Sequence, residues 1–466
     1  MAQAAAGRGH GAQGLEERVI VQTIDVGSTL DNAPWTAYQK LLIAATASTI
    51  IFDGLDNQLL NAALPTLMRE WNLPRPAFVP AQTAGMVGMM IGGALGGVAG
   101  DRFGRRIALL GSVVAFGLLT MLVPLASGVG TLTVLRFVAG FGLGGAMPNA
   151  AALSSEYVPK RKRPFAVTLT LVCIPLGGSL AGLIGGWVLP RFGWRALFFV
   201  GGVLPLLLAA ALVKLLPESP RFLARLPERW PQLRAHLRRL GHQVSDDARF
   251  ADVTEQAVAK VSARELLVPA YRRDTLALSA SFFCCLLAVY MGVTWVPAVL
   301  TGGGFDVGTA SYGLTAFNLG GVVGAVLGAM LIMRLGSRLT MLVMTAGVVL
   351  GAGVLATMSI SPASFAMVFA MLAWTGGLNN AVQTTMYALA AHVYSTAVRA
   401  TGVGTAVAVG RIGGVLSPSF GSWALETGGS PRYFGVISAT MALTFVALAS
   451  IRRHIPGASS SQPAAR

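Results

Sequence analysis

Charge is scarce in this chain, and acidic charge scarcest. Charged residues fill 12% of 466 positions, where a soluble globular chain carries about 25%. That shortage excludes an ordinary water-exposed surface. The three cysteines, Cys173, Cys284 and Cys285, all sit in apolar runs, which argues against a disulfide framework and suits small packing residues. The five histidines are scattered and no His/Cys cluster has ligand spacing, so no metal site, no cofactor and no catalytic constellation are expected. The stretch Met1 to Trp35 mixes charges without an apolar core, and no signal peptide is expected there.

Hydrophobicity is what the chain has: 54% hydrophobic residues, 57 glycines and a mean hydropathy of +0.65. Apolar runs approach the roughly 20 residues that span a bilayer as helix. They fall near 38–66, 77–100, 107–127, 130–155, 164–189 and 195–215, then near 274–300, 309–333, 338–358, 361–391, 399–425 and 432–451. An all-α membrane protein of twelve spans is predicted. The expected divisions are a disordered tail (1–36), a six-helix bundle (37–216), a linker (217–272), a second six-helix bundle (273–453) and a disordered C-terminal tail (454–466). The Arg-rich linker reads as a solvated connection, a regulatory partner site being the alternative, with a surface helix over Pro231 to Leu240.

Short basic loops set orientation, because Lys and Arg translocate poorly. Arg102, Arg105 and Arg106 follow span two, Lys160 to Arg163 follow span four, and Arg334 and Arg338 follow span eight. Both termini and the linker are therefore expected in the cytoplasm, with the chain in a plasma membrane, the inner one in a bacterium. The net charge of +16 then reflects topology and anionic lipid, and nucleic acid is not an expected partner. A shift of 236 positions lays Arg163 on Arg399, Gly177-Gly178 on Gly413-Gly414, Gly185 on Gly421 and Trp187 on Trp423. Such a duplication predicts two pseudo-symmetric bundles around a shared cavity.

Asp53 and Asp56 stand inside the first apolar run, where a carboxylate is expensive and therefore a functional lead. Desolvation penalises the charged form, which suits either residue to carry a proton. Arg136 in span four and Arg411 in span eleven are basic counterparts; either could receive a carboxylate or neutralise an aspartate. Tyr290, Trp295, Asn318, Trp374, Asn379, Asn380, Gln383 and Tyr387 are candidate cavity walls. Asn379, Gln383 and Tyr387 share one helix face by their spacing of four.

The loop Gly96-Gly97-Val98-Ala99-Gly100-Asp101-Arg102-Phe103-Gly104-Arg105-Arg106 resembles the cytoplasmic loop signature of the major facilitator superfamily. The second-half copy has Met333 and Ser337 in place of Asp101 and Arg105, so the gate should rest on Asp101, Arg105 and Glu156, with Arg399 added. Glu156 could instead only balance the basic run after it. Asp53-Gly54-Leu55-Asp56, the stretch Arg136 to Asn149 with Ser155-Glu156-Tyr157, and the stretches Tyr387 to Ala391, Ala397 to Gly404 and Gly410 to Gly413 resemble the aromatic acid:proton symporters. Leu55 departs from that family's usual Phe. The resemblance implies the major facilitator fold and a monomeric symporter taking up a small aromatic carboxylate, such as a hydroxybenzoate, by alternating access. Protons, the substrate and the bilayer would be its partners. Ile174-Pro175-Leu176-Gly177-Gly178 fits poorly the element found in exporters of the superfamily. An exporter, a carrier of sugars or other acids, and a non-transporting sensor are the alternatives.

Overall fold

The computed structural model describes residues 23–31, 34–242, 244–251, 263–395 and 397–457. The first span, Ala37–Trp71, starts at a capping box: Thr36 Oγ1 accepts from Gln39 N–H while Gln39 Oε1 accepts from Thr36 N–H. This satisfies two donors that a helix start leaves orphaned. Spans two to four are Val79–Phe103, Arg105–Leu122 and Val129–Tyr157. Spans five and six run on as Arg163–Leu215, broken at Gly193. Spans seven to ten are Arg272–Gly302, Val307–Leu335, Ser337–Thr357 and Phe365–Val393, and the last two share Arg399–Ser450, broken at Gly428 and Gly429.

Among the described residues, nine helical stretches are long and apolar enough to cross a membrane. Two of these each contain two spans, and Ala37–Trp71, made polar by residues such as Asp53, Asp56 and Asn57, brings the total to twelve. The halves repeat one packing scheme. Span one packs on five, two on four and three on six; seven packs on eleven, eight on ten and nine on twelve. A Cβ at Gly177 would collide with the backbone at Ile51 and Leu55, and one at its repeat mate Gly413 with that at Phe283. Glycine lets these helices touch backbone to backbone. The turns after spans two and eight also correspond, through Gly104 (φ 105°) and Gly336 (φ 80°), left-handed values that glycine adopts without Cβ strain.

The structure corrects the reading of the polar segments. The N-terminal stretch expected to be disordered forms a strand, Thr23–Asp25, and a short helix, Val26–Asp31; positions 1–22, 32 and 33 of that expectation lie outside the described residues. The strand pairs in parallel with Arg249–Ala251 of the linker. The linker is folded rather than merely solvated. Its helix Trp230–Arg239 buries Leu233 and Leu237 beside Val26, Leu30 and Phe250, and Trp230 meets Phe250 edge-on at 5.6 Å. Hydrophobic side chains in the segment supply the burial that its charge pattern hides.

After the twelfth span the chain remains ordered in place. Ile455 accepts from Ser337 N–H at 2.9 Å and donates to Ser337 Oγ at 2.8 Å. The tail expected to be disordered from 454 therefore begins with a docked strap; positions 458–466 lie outside the described residues. Both ends of the membrane domain thus meet one face, called proximal below. The opposite face is distal.

Candidate functional site

Between the bundles lies a cavity of about 110 Å³, walled by Asp53, Asn57 and Gln58 of the first span, Tyr290 of the seventh, Asn380, Gln383 and Tyr387 of the tenth, and Arg411 of the eleventh. Met86, Met89 and Met90 supply an adaptable apolar wall from span two. The bundles close on the distal side. There Gly182 faces Ser311 and Thr315, Gly186 faces Tyr312, and Gly308 approaches Gly186 and Pro190. Arg75, in the turn before span two, and Glu426, at the distal end of span eleven, add an ion pair at 3.5 Å. Closer to the cavity, Gln58 and Asn318 exchange two amide hydrogen bonds.

The two aspartates have different surroundings. Asp56 is fully buried; it accepts from the Thr120 hydroxyl and lies 3.5 Å from Arg136 Nη1. Asp53 faces the cavity, and its Oδ1 has no hydrogen-bond partner among the described residues. Arg411 lies within electrostatic reach of Asp53 and forms no hydrogen bond or ion pair with another described residue. Its guanidinium reaches over span two, where a Cβ on Gly93 would stand 3.0 Å from Nη1. One carboxylate is therefore locked to an arginine, while a second carboxylate and a second guanidinium stand free at the same cavity. That is an arrangement able to bind an anion and a proton together.

At the proximal end of the first bundle, Arg105 lies 2.5 Å from Asp101 and 3.7 Å from Glu156. Glu156 also accepts from the Ser219 hydroxyl. Glu218 accepts from Arg106 N–H at 3.0 Å and from Ser219 N–H at 2.9 Å, and a Cβ on Gly104 would strike its carboxylate. Arg399 is not part of this network: it is exposed and forms no ion pair with another described residue. Its repeat mate Arg163 pairs with Asp31 instead.

Several expected cavity residues lie elsewhere. Trp374 is 52% exposed on the outside of the bundle, its indole N–H donating to Gly347. Trp295 is wholly buried and donates to the Pro418 carbonyl. Asn379 is buried 3.9 Å from the Cys285 sulfur and off the cavity wall. Arg136 leaves the central cavity to Arg411 and lines a smaller one beside Tyr290. Asn318, Tyr290, Gln383 and Tyr387 are at the wall. Sequence reasoning passed over Asn57 and Gln58, although both directly follow Asp56 in an apolar run, and over Glu218 and Ser219 as gate residues.

The sequence profile described as Major Facilitator Superfamily matches residues 46–418 and 278–466. The chain belongs to that superfamily. It is a membrane transporter rather than an enzyme. A gallate transporter of Pseudomonas putida is 35% identical over 416 residues, covering 89% of this chain and 92% of the relative. The 4-hydroxybenzoate transporter PcaK of the same organism is 33% identical, covering 88% and 90%. A partially occluded, inward-open structure of the Escherichia coli xylose transporter XylE superposes with a TM-score of 0.69 at 17% identity, covering 88% of this chain and 97% of that one. At that identity the likeness concerns the fold alone.

Proposed function

We propose that this superfamily member takes up a small aromatic carboxylate, a hydroxybenzoate being the type, together with protons. The observation that carries the reading is the free Arg411 guanidinium beside the free Asp53 carboxylate at one central cavity. Arg411 receives the substrate carboxylate with its planar fork. Tyr290 and Tyr387 offer ring faces, and Asn57, Asn380 and Gln383 offer amides to ring hydroxyls. At about 110 Å³ the cavity is smaller than an engineered apolar one of about 150 Å³ that takes benzene, so a hydroxybenzoate enters with movement of the flexible Met86, Met89 and Met90 side chains. The gallate and 4-hydroxybenzoate transporters among its relatives support this substrate class.

Asp53 carries the proton in this reading, and Asp56 with Arg136 tunes it. The proximal face is cytoplasmic, in the inner membrane of a bacterium, and the protein acts as a monomer driven by the gradient without a cofactor. Closure of the distal side fits the cytoplasm-facing member of an alternating pair, and rocking of the two bundles would expose the cavity outward. Proteoliposomes with an inward proton gradient and labelled 4-hydroxybenzoate test the reading. Accumulation is expected from the parent protein and is abolished in Asp53→Asn; unchanged accumulation by that variant would refute the coupling.

A further inference from the structure

A second cavity, of about 20 Å³, adjoins the central one, and its wall includes Asn57, Asn61, Gln82, Arg136 and Tyr290. Chain direction puts it on the distal side. Asn61 lies eight residues beyond Asp53 toward the distal end of span one, while Gln82 and Arg136 lie near the distal starts of spans two and four. Gln82 is 6% exposed, and neither atom of its amide has a partner among the described residues; Arg136 Nε is in the same position. Buried donors and acceptors left unpaired are costly. A water molecule needs only about 10–15 Å³ and two to four polar partners, both of which this cavity offers.

Asn57 and Tyr290, with Met86 and Val293, line both cavities, so two of the four side chains between them are polar and within reach of either side. Arg136 contributes positive charge to the wall, but its ion pair with Asp56 neutralises it. On the central side the facing groups are Asp53, Arg411 and Tyr387. The site is therefore polar without net charge, a setting for water rather than for a resident cation.

We infer that the smaller cavity holds a water that, once the bundles open distally, relays protons from that side to Asp53, with Gln82 as the residue that positions it. This inference rests on the proton coupling proposed above. The water accepts a proton from the distal side and releases another toward Tyr290, whose hydroxyl takes one up and passes one on. No charge accumulates on the relay, and the Asp53 carboxylate is the final acceptor.

The test compares two activities of reconstituted protein: proton-driven accumulation of labelled 4-hydroxybenzoate, and its gradient-free exchange. Gln82→Leu replaces the amide at the cavity wall with an apolar group and is expected to lower accumulation about tenfold while exchange stays within about twofold, since one buried polar link is lost and substrate contacts are kept. Gln82→Ser keeps polarity and space for water, and restores accumulation. Asn61→Leu, at the same wall, gives the same split and serves where the first variant does not fold. Undiminished accumulation in folded Gln82→Leu, or equal loss of both activities, overturns the relay. Asp53→Asn run alongside separates the layers: if it accumulates normally the coupling fails, whereas if only Gln82→Leu does, the relay alone fails.

Discussion

Gln58 and Asn318 bond each other twice across the bundle interface, Gln58 donating at 3.1 Å and Asn318 at 2.7 Å. Their side chains come from opposite halves of the duplication, so alternating access must break both bonds. Asn318→Leu leaves Gln58 without its partner in a buried setting, a cost of about 1–3 kcal/mol to the distal-closed state. The expected outcome is a population shift toward distal opening. Spin labels at Arg191 and Asp306, at the distal ends of spans five and eight, should report a larger share of long distances. The double variant Gln58→Leu/Asn318→Leu removes both polar groups and should recover the closed population. An unaltered distance distribution in Asn318→Leu would show that the amides do not hold the interface.

Asp56 and Arg136 form a pair almost sealed from solvent, the carboxylate at 0% and the arginine at 4% exposure. Removing one partner leaves an uncompensated buried charge, which costs about 3–5 kcal/mol, whereas removing both is far milder. Arg136→Gln is therefore expected to melt well below the parent in detergent. Asp56→Asn/Arg136→Gln should recover most of that loss. A melting temperature for the double variant no higher than for Arg136→Gln would contradict an ion-pair account.

The apolar runs made the twelve spans legible because lipid imposes a length on every helix. The loop signature pointed to Arg105 reaching Glu156, which lies 3.7 Å from it; the shorter contact with Asp101 was not read from it. Local spacing failed at the helix face. Asn379, Gln383 and Tyr387 share a strict spacing of four, but the residues at the wall are Asn380, Gln383 and Tyr387, because the face is set by how the tenth span packs on the eighth. Trp374 failed for a related reason: its size suggested a substrate contact, and its position turned it to the bundle exterior. The folded linker was hidden because its hydrophobic residues are interspersed with charge and the strand that pairs with it lies more than 200 residues away in sequence.

That difference on the tenth span is measurable. Gln383→Leu and Asn380→Leu remove polar groups from the wall and are expected to weaken binding of a hydroxylated ring about tenfold, the order of one lost hydrogen bond with a buried partner. Trp374→Leu, on the exterior, should leave affinity within about twofold. Calorimetric titration of purified variants with 4-hydroxybenzoate decides. Equal losses in Gln383→Leu and Trp374→Leu would mean that the cavity wall does not select the substrate.

The strap after the twelfth span carries a pH dependence of defined sign. His454 Nδ1 lies 3.2 Å from Ser337 Oγ. Burial, and then the neighbouring Arg338 charge, lower the pKa of the ring from its ordinary 6.5, outweighing the opposing Ile451 and Leu448 carbonyls and Asp274. A histidine lowered in the folded state favours docking in its neutral form. The stabilisation is complete above 6.5 and is lost as pH falls toward and through the folded value. Docking protects the Ser337 N–H, which donates to Ile455. Hydrogen exchange at that amide, corrected for its intrinsic rate, should be slow at about pH 8 and faster at about pH 5, across the histidine range. His454→Gln, which does not titrate there, should flatten the profile. The same pH response in that variant would assign it to another group and leave the strap held by its backbone bonds alone.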